Sequence, residues 1–394
     1  MKKDKKIAVV AACRTPIGRI PGELNYISDV KLLAEAFKEA VKRSGVPDAY
    51  IDSAYTGCSF PVERDNLCRK AVVEAGLSKK INGTTISKTC ASSDEALAHA
   101  THKIQSGQAE AMLVGGIEKI SNSSYALHFL KNNVRNIVKG NLPKLEDIEN
   151  NIQENDMVPI CEMLSRKYNI SRHEQDLFAL ESYCKAQNAL KAGRFQDELI
   201  DIEYTNDGVS HKLVYDELLM LEKEEDKVFS APPIFLSNGT LTQYNTSLMC
   251  DCAAAMVIMD YDRAVQMDLR PLVEIYAVES AGVENDMLGL GMVEAVTNIL
   301  RKSGLNKQSI GLFELNESFA IQAILCQRML DIDPDKVNVN GGNLALGYPI
   351  GCTGIRMNIT LIYEMLRRNV QFGLSAICAG SNMGQAIVFK NNLN

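Results

Sequence analysis

No stretch of this 394-residue chain approaches the roughly 18 consecutive apolar positions that a membrane span needs. Nor is there a stripe of lysine and arginine. The 42 basic residues face 49 acidic ones, a formal net charge of −7, which argues against a nucleic-acid partner. Histidine is scarce, with five in the whole chain. The eleven cysteines contain no CxxC pair and have no His-x-x-x-His companion, so neither a disulfide scaffold nor a zinc centre is expected. Cys250-Asp251-Cys252 comes nearest to a metal-ligand spacing, but it lacks a second pair. The apolar run Ile7 to Cys13 stops at Arg14 with no small-residue cleavage site, so export is not expected. These absences lead to an expectation of a reduced, cytoplasmic chain without metal.

Hydrophobic residues make up 46% and charged residues 23%, enough to bury a large core and too apolar for disorder. The length suggests two or three domains at about 150 residues each. Organisation comes from an internal repeat. Glu35-Ala36-Phe37 leads to Ser44-Gly45 and then to Ile51-Asp52-Ser53. Glu294-Ala295-Val296 leads at the same spacing to Ser303-Gly304 and Ile310-Gly311-Leu312. Each copy reads as an amphipathic helix closed by glycine and followed by a strand. Both copies end on small-residue segments, Gln108 to Gly116 and Gly373 to Gly380, which read as strands running into glycine turns. The class is therefore α/β, a layered fold built twice. Between the copies lies a polar excursion, roughly Lys119 to Tyr244. In it Ser171-Arg172-His173-Glu174 forms a capping box ahead of a helical run Leu177 to Ala192, which Gly193 closes.

Cys90 follows the β-branched run Thr84-Thr85-Ile86 and precedes Ser92-Ser93-Asp94-Glu95, which favour a helix start. A thiol there would meet unpaired N–H groups and the positive end of a helix dipole, both of which favour thiolate. The local residues leave two readings open, a nucleophile and a buried structural cysteine.

Ordered segments then point to one family. They are Arg14-Thr15-Pro16-Ile17-Gly18, Gly115-Gly116-Ile117-Glu118, Ser171 to Asp176, Gly193-Arg194-Phe195 and Asn245-Thr246-Ser247. Towards the C-terminus come Asn316-Glu317-Ser318-Phe319-Ala320, Asn340-Gly341-Gly342, Gly347-Tyr348-Pro349-Ile350-Gly351 and Cys378-Ala379-Gly380. Over nearly its whole length the chain resembles a thiolase, an acyl-CoA acyltransferase of the acetyl-CoA acetyltransferase type. The resemblance implies a duplicated αβαβα layered fold. Its N-terminal half would span 1–118 plus 245–270, its inserted loop domain 119–244 and its C-terminal half 271–394. It implies ping-pong acyl transfer with Cys90 as nucleophile, Cys378 as acid and base, and Asn316 orienting water in an oxyanion hole. A second hole would use the backbone N–H groups of Cys90 and Gly380. Ser247 would face the pantetheine arm of a coenzyme A thioester, which is substrate and not a tightly bound cofactor. Homodimers or homotetramers are implied as well.

The sequence departs from the family pattern at several positions. Tyr348 stands where the family carries a histidine that activates the thiol, and tyrosine is a poor base at neutral pH. His99 and His102 follow Cys90 on its own helix and point away from the sulfur; His128, His173 and His211 fall in the excursion. Ser93-Asp94 replace a Gly-Leu pair, and Asp156-Met157-Val158 a His-Met-Gly segment. Tyr244, Leu248 and Cys252 stand where glycines are expected, and Met220 where an arginine often sits near the CoA nucleotide. Ser381-Asn382 interrupt a glycine run. The alternative is therefore a paralogue on the same scaffold with impaired or lost condensation, serving as a binding or structural subunit or taking a different acyl donor.

Overall fold

Strand β1 (Ile7–Arg14) is buried at every position, as an unbroken apolar run in a sheet interior requires. The computed structural model describes residues 5–62, 65–123, 144, 157–284, 287, 289–380 and 382–392. His128, Asp156 and Ser381, singled out above, lie outside them.

On one side of β1 the sheet runs through β7 (Cys252–Asp260), β4 (Ala111–Glu118), β2 (Ser53–Gly57) and β3 (Asn82–Ile86). On the other side it runs through β8 (Val273–Gly282), β11 (Met383–Lys390), β10 (Phe372–Ala379) and β9 (Leu312–Leu315). The two halves repeat their pairing. β2 is parallel to β4 as β9 is to β10. β4 is antiparallel to β7, and β7 to β1, as β10 is to β11 and β11 to β8. The antiparallel pair β1·β8 joins the halves.

Side-chain alternation builds the layers. In β7, Cys252, Ala254, Met256 and Ile258 enter one core cluster, while Ala253, Ala255, Val257 and Met259 enter another. β11 divides likewise, with Ile387 and Phe389 in the first cluster and Ala386 and Val388 in a third. That first cluster is the shared middle layer. It contains Leu97 and Ala100 of α3 (Ser92–Gln105) and Ile355, Ile359 and Ile362 of α11 (Thr353–Arg368). Each of those buried isoleucines contributes about 1.5–3 kcal/mol. The outer layers are α1 (Asp29–Ser44) with α2 (Leu67–Glu74), and α8 (Gly291–Ser303) with α9 (Ala320–Leu330). The order is helix, sheet, helix, sheet, helix. The repeat read from the sequence is visible in its caps. α1 ends at Gly45 with φ 67° and α8 at Gly304 with φ 70°, where a side chain would be strained.

One sequence reading is corrected. Gly115 and Gly116 lie inside β4 and form no turn. A Cβ on Gly115 would come 2.6 Å from Phe37 Cε1 of α1, and one on Gly116 2.6 Å from Ile355 Cγ2 of α11. Bare backbone lets a helix approach each face of the strand.

Among the described residues, four helices and the hairpin of β5 (Ile202–Asn206) and β6 (Val209–Leu213) lie between β4 and β8. α4 (Met157–Lys167), α5 (Arg172–Lys191) and α6 (Glu225–Ser230) precede β7, and α7 (Tyr261–Gln266) follows it. Helix α5 starts five residues before the predicted run, because the Ser171 hydroxyl accepts from the Glu174 N–H and caps it. The short α10 (Asn343–Leu346) precedes the turn that carries Tyr348. No helix among the described residues is long and apolar enough to cross a membrane.

Candidate active site

Four segments converge where the two halves meet. Cys90 sits in the junction between β3 and α3, half-buried, and packs with Ala91, Ile377 and Ala379. The preceding Thr89 is held at φ 48°, an uncommon conformation for a β-branched residue. Its hydroxyl accepts from the Gly380 N–H at 2.9 Å, and its carbonyl accepts from the Ser59 hydroxyl at 2.6 Å.

Burial raises the Cys90 thiol above its usual range. The nearby Tyr348 hydroxyl opposes that rise; the charge of nearby Cys378 adds to it, and the N–H groups of Cys90 and Gly380 oppose it. Tyr348 is buried at 8% exposure. Its own ionisation is pushed well above the ordinary tyrosine range, first by burial and then by the charge of Cys90. It therefore remains a protonated phenol, able to donate to sulfur and unable to act as a base.

Tyr348 is fixed through its backbone. Its N–H donates to Leu248 O at 2.8 Å, and its carbonyl accepts from the Cys250 N–H at 3.2 Å. Downstream, the Gly351 N–H donates to Glu118 Oε2 at 2.7 Å. The same carboxyl accepts from the N–H groups of Ser59 and Phe60, tying the Tyr348 turn to the loop after β2. Burial pushes the Glu118 carboxyl up to about 7.

Asn316 follows β9 and is fully buried. Its amide donates to Ser318 Oγ at 2.7 Å, and the Ser318 hydroxyl donates to Tyr348 Oη at 2.9 Å. Ser247 is 8% exposed. Its N–H donates to Ser318 O at 3.0 Å and its hydroxyl to Glu317 O, so it braces the loop that bears Asn316.

Cys378 lies near the end of β10. Its sulfur accepts from the Met292 N–H, in the first turn of α8, at 3.4 Å and donates to Gly289 O at 3.2 Å. Cys326 lies beside it.

Cys90, Cys378, Asn316, Tyr348 and the Gly380 N–H are thus brought into one cluster, with Ser247 behind it. The described histidines lie elsewhere. His99 is exposed beside Glu95, His102 is exposed, His173 packs on Phe229 and His211 on Tyr204. Cys250 and Cys252 do not converge, since Cys250 donates to Leu248 O and Cys252 to Thr15 O. Among the described residues, no group of three His, Cys, Asp or Glu side chains could hold a metal.

Several departures prove to be parts of the scaffold. Ser93 Oγ accepts from the Ile355 N–H at 3.0 Å, and Asp94 accepts from Asn358 at 2.7 Å, so both join α3 to α11. Cys252 is fully buried in the middle layer. Leu248 and Met220 are exposed. Asp216 is committed to Arg14 at 2.7 Å, with Glu198 as the third member of that buried network.

Sequence reasoning passed over Ser318, whose signal was a hydroxyl two residues after Asn316. It also passed over Thr89, whose backbone conformation leaves no mark in a single sequence.

The sequence model of the thiolase N-terminal domain matches residues 7–262, and that of the thiolase C-terminal domain matches 269–391. The chain is a member of the thiolase family. Relatives agree over the full length. A 3-ketoacyl-CoA thiolase of Bacillus subtilis is 36% identical, with 98% of this chain and 99% of that protein covered. The crystal structure of the Bacillus anthracis acetyl-CoA acetyltransferase superposes with a TM-score of 0.90 at 31% identity, covering 99% of this thiolase and 100% of that chain. A human mitochondrial 3-ketoacyl-CoA thiolase in complex with CoA superposes with a TM-score of 0.87 at 28% identity, covering 98% of each chain. The expected layered α/β class is therefore the observed one.

Proposed function

We propose that this thiolase is an acyl-CoA C-acyltransferase of the acetyl-CoA acetyltransferase type, working by ping-pong transfer through Cys90. The observation that carries the reading is the cluster around Cys90: the Tyr348 hydroxyl, held by Ser318 at 2.9 Å, lies beside the sulfur, and Thr89 holds the Gly380 N–H next to it at 2.9 Å. A phenolic O–H beside the sulfur favours its thiolate without any proton-accepting neighbour.

In the first half-reaction the Cys90 thiolate attacks the thioester carbonyl of acetyl-CoA, and the C–S bond to coenzyme A breaks. The Cys378 thiol gives its proton to the departing thiolate. In the second, the Cys378 thiolate removes an α-proton from another acetyl-CoA. The resulting carbanion attacks the acetyl carbonyl on Cys90, a C–C bond forms, and the Cys90 thiolate leaves. Tyr348 lowers the cost of both events by holding the sulfur's negative charge. It does not take the proton that a histidine would, so the fraction of Cys90 already ionised sets the rate.

The second reading, a subunit without condensing activity, draws support from one observation, the net upward push on the Cys90 thiol. The two readings separate on a single experiment. Acetyl-CoA is mixed with the enzyme, and the Cys90 peptide is examined by mass spectrometry. One acetyl group on Cys90, absent in Cys90→Ala, supports transfer. An unmodified Cys90 at every pH tested rejects it.

A further inference from the structure

The hydrogen bonds behind Tyr348 form a chain whose direction is set from one end. Arg356 of α11 is fully buried, and a guanidinium can only donate. It donates to Asn343 Oδ1. That contact fixes which way the Asn343 amide faces, so its Nδ2 donates to Asn316 Oδ1. Asn316 is fixed in turn, and its Nδ2 donates to Ser318 Oγ at 2.7 Å. The Ser318 hydroxyl keeps its proton for Tyr348 Oη, to which it donates at 2.9 Å. Tyr348 Oη is therefore an acceptor on its inner side, and its single O–H is left for the Cys90 sulfur.

We propose that Arg356 and Asn343 are positioning residues that, through Asn316 and Ser318, lock the Tyr348 hydroxyl as a donor to the Cys90 sulfur. Amide flips and hydroxyl rotors are ordinarily free choices. Here a donor-only group at one end and an acceptor at the other leave one consistent assignment. The inference rests on the proposed role of Tyr348 and adds what enforces it. Among the described residues, Arg356 Nε and Nη1 have no hydrogen-bond partner, so the Asn343 contact is what its guanidinium is committed to.

Reversing the chain tests the proposal. In Asn343→Asp the new carboxylate keeps Arg356 partnered but cannot donate to Asn316. The Asn316 amide must then turn its NH2 towards residue 343 and its oxygen towards Ser318, which draws the Ser318 and Tyr348 protons inward and away from sulfur. The readout is the pH profile of Cys90 alkylation by iodoacetamide, followed on the Cys90 peptide by mass spectrometry in the full-length enzyme. Asn343→Asp should move the midpoint up by about one pH unit, the worth of one hydrogen bond to a charged group, as Tyr348→Phe should. Asn343→Ala, which adds no charge and frees the Asn316 amide to turn, should move it the same way by less. If both Asn343 variants keep the wild-type midpoint while Tyr348→Phe raises it, the relay is overturned and the role of Tyr348 stands. A midpoint that moves in Asn343→Asp and not in Asn343→Ala is a charge effect and also overturns the relay. If Tyr348→Phe leaves the midpoint in place, the proposed role of Tyr348 fails first.

Discussion

Ser318 Oγ donates to Tyr348 Oη at 2.9 Å, and that contact decides what the tyrosine can do. A phenol that already accepts on its inner side presents its proton outward, so Tyr348 meets Cys90 as a donor. An imidazole at the same place could accept a proton near neutral pH. The chain therefore keeps a group that steadies thiolate and lacks one that creates it.

Restoring the imidazole measures that difference. Tyr348→His should raise the rate of Cys90 acetylation at pH 7 by roughly 10²-fold, the usual lower range for a positioned general base. Release of coenzyme A in a single turnover reports it. No gain would mean that proton removal from Cys90 is not the slow event.

Cys378 should divide the two half-reactions. Its sulfur, held by the Met292 N–H and Gly289 O, is assigned the α-proton of the second acetyl group. Cys378→Ala should cut condensation by roughly 10²–10⁴-fold while acetyl-Cys90 still forms. Exchange of acetyl-CoA α-hydrogens in deuterated water should disappear with it. Exchange that persists in the variant would assign the base elsewhere.

Much of this architecture was legible in the residues. The spacing that relates Ser44-Gly45 to Ser303-Gly304 predicted a fold built twice, because a helix ending in left-handed glycine is a local event written in local sequence. Cys90 at a strand-to-helix junction was legible for the same reason. The partners of those residues were not. Ser93 and Asp94 stand in the sequence only as replacements of a Gly-Leu pair, and nothing local marks that they tie α3 to α11, a contact between positions more than 250 residues apart. Gly115 and Gly116 read as a turn because their packing partners, Phe37 and Ile355, come from distant helices. The chain from Arg356 to Tyr348 joins several loops and helix ends, and no periodicity marks it.

Thr89 offers a test of strain kept for function. A threonine at φ 48° costs about 1–3 kcal/mol, held because its hydroxyl receives the Gly380 N–H. Thr89→Gly should relieve about 1 kcal/mol of that strain and so leave the melting temperature unchanged or higher. Acetylation of Cys90 should fall by roughly 10-fold, since Gly380 loses the partner that orients it beside the sulfur. A variant that is both less stable and fully active would contradict the assignment.

Buried carboxyls should govern stability against pH. Burial pushes Glu314 up to about 8 and Asp94 and Glu118 up to about 7, each above its unfolded value. The native state then binds more protons than the unfolded chain between about pH 4.5 and 8, so stability falls as pH rises through that window. Urea unfolding at pH 5 and pH 8 should show the decline, and Glu314→Gln should flatten it. A steeper decline in the variant would show that Glu314 is ionised at pH 8 and stabilised by Arg356.

The role given to Tyr348 stands or falls on the pH dependence of Cys90 acetylation by acetyl-CoA, measured in the wild type and in Tyr348→Phe. The rate should climb with thiol ionisation in both enzymes, with the midpoint about one pH unit higher in the variant and the plateau rates similar. Superimposable profiles would mean that the tyrosine hydroxyl does not stabilise the Cys90 thiolate.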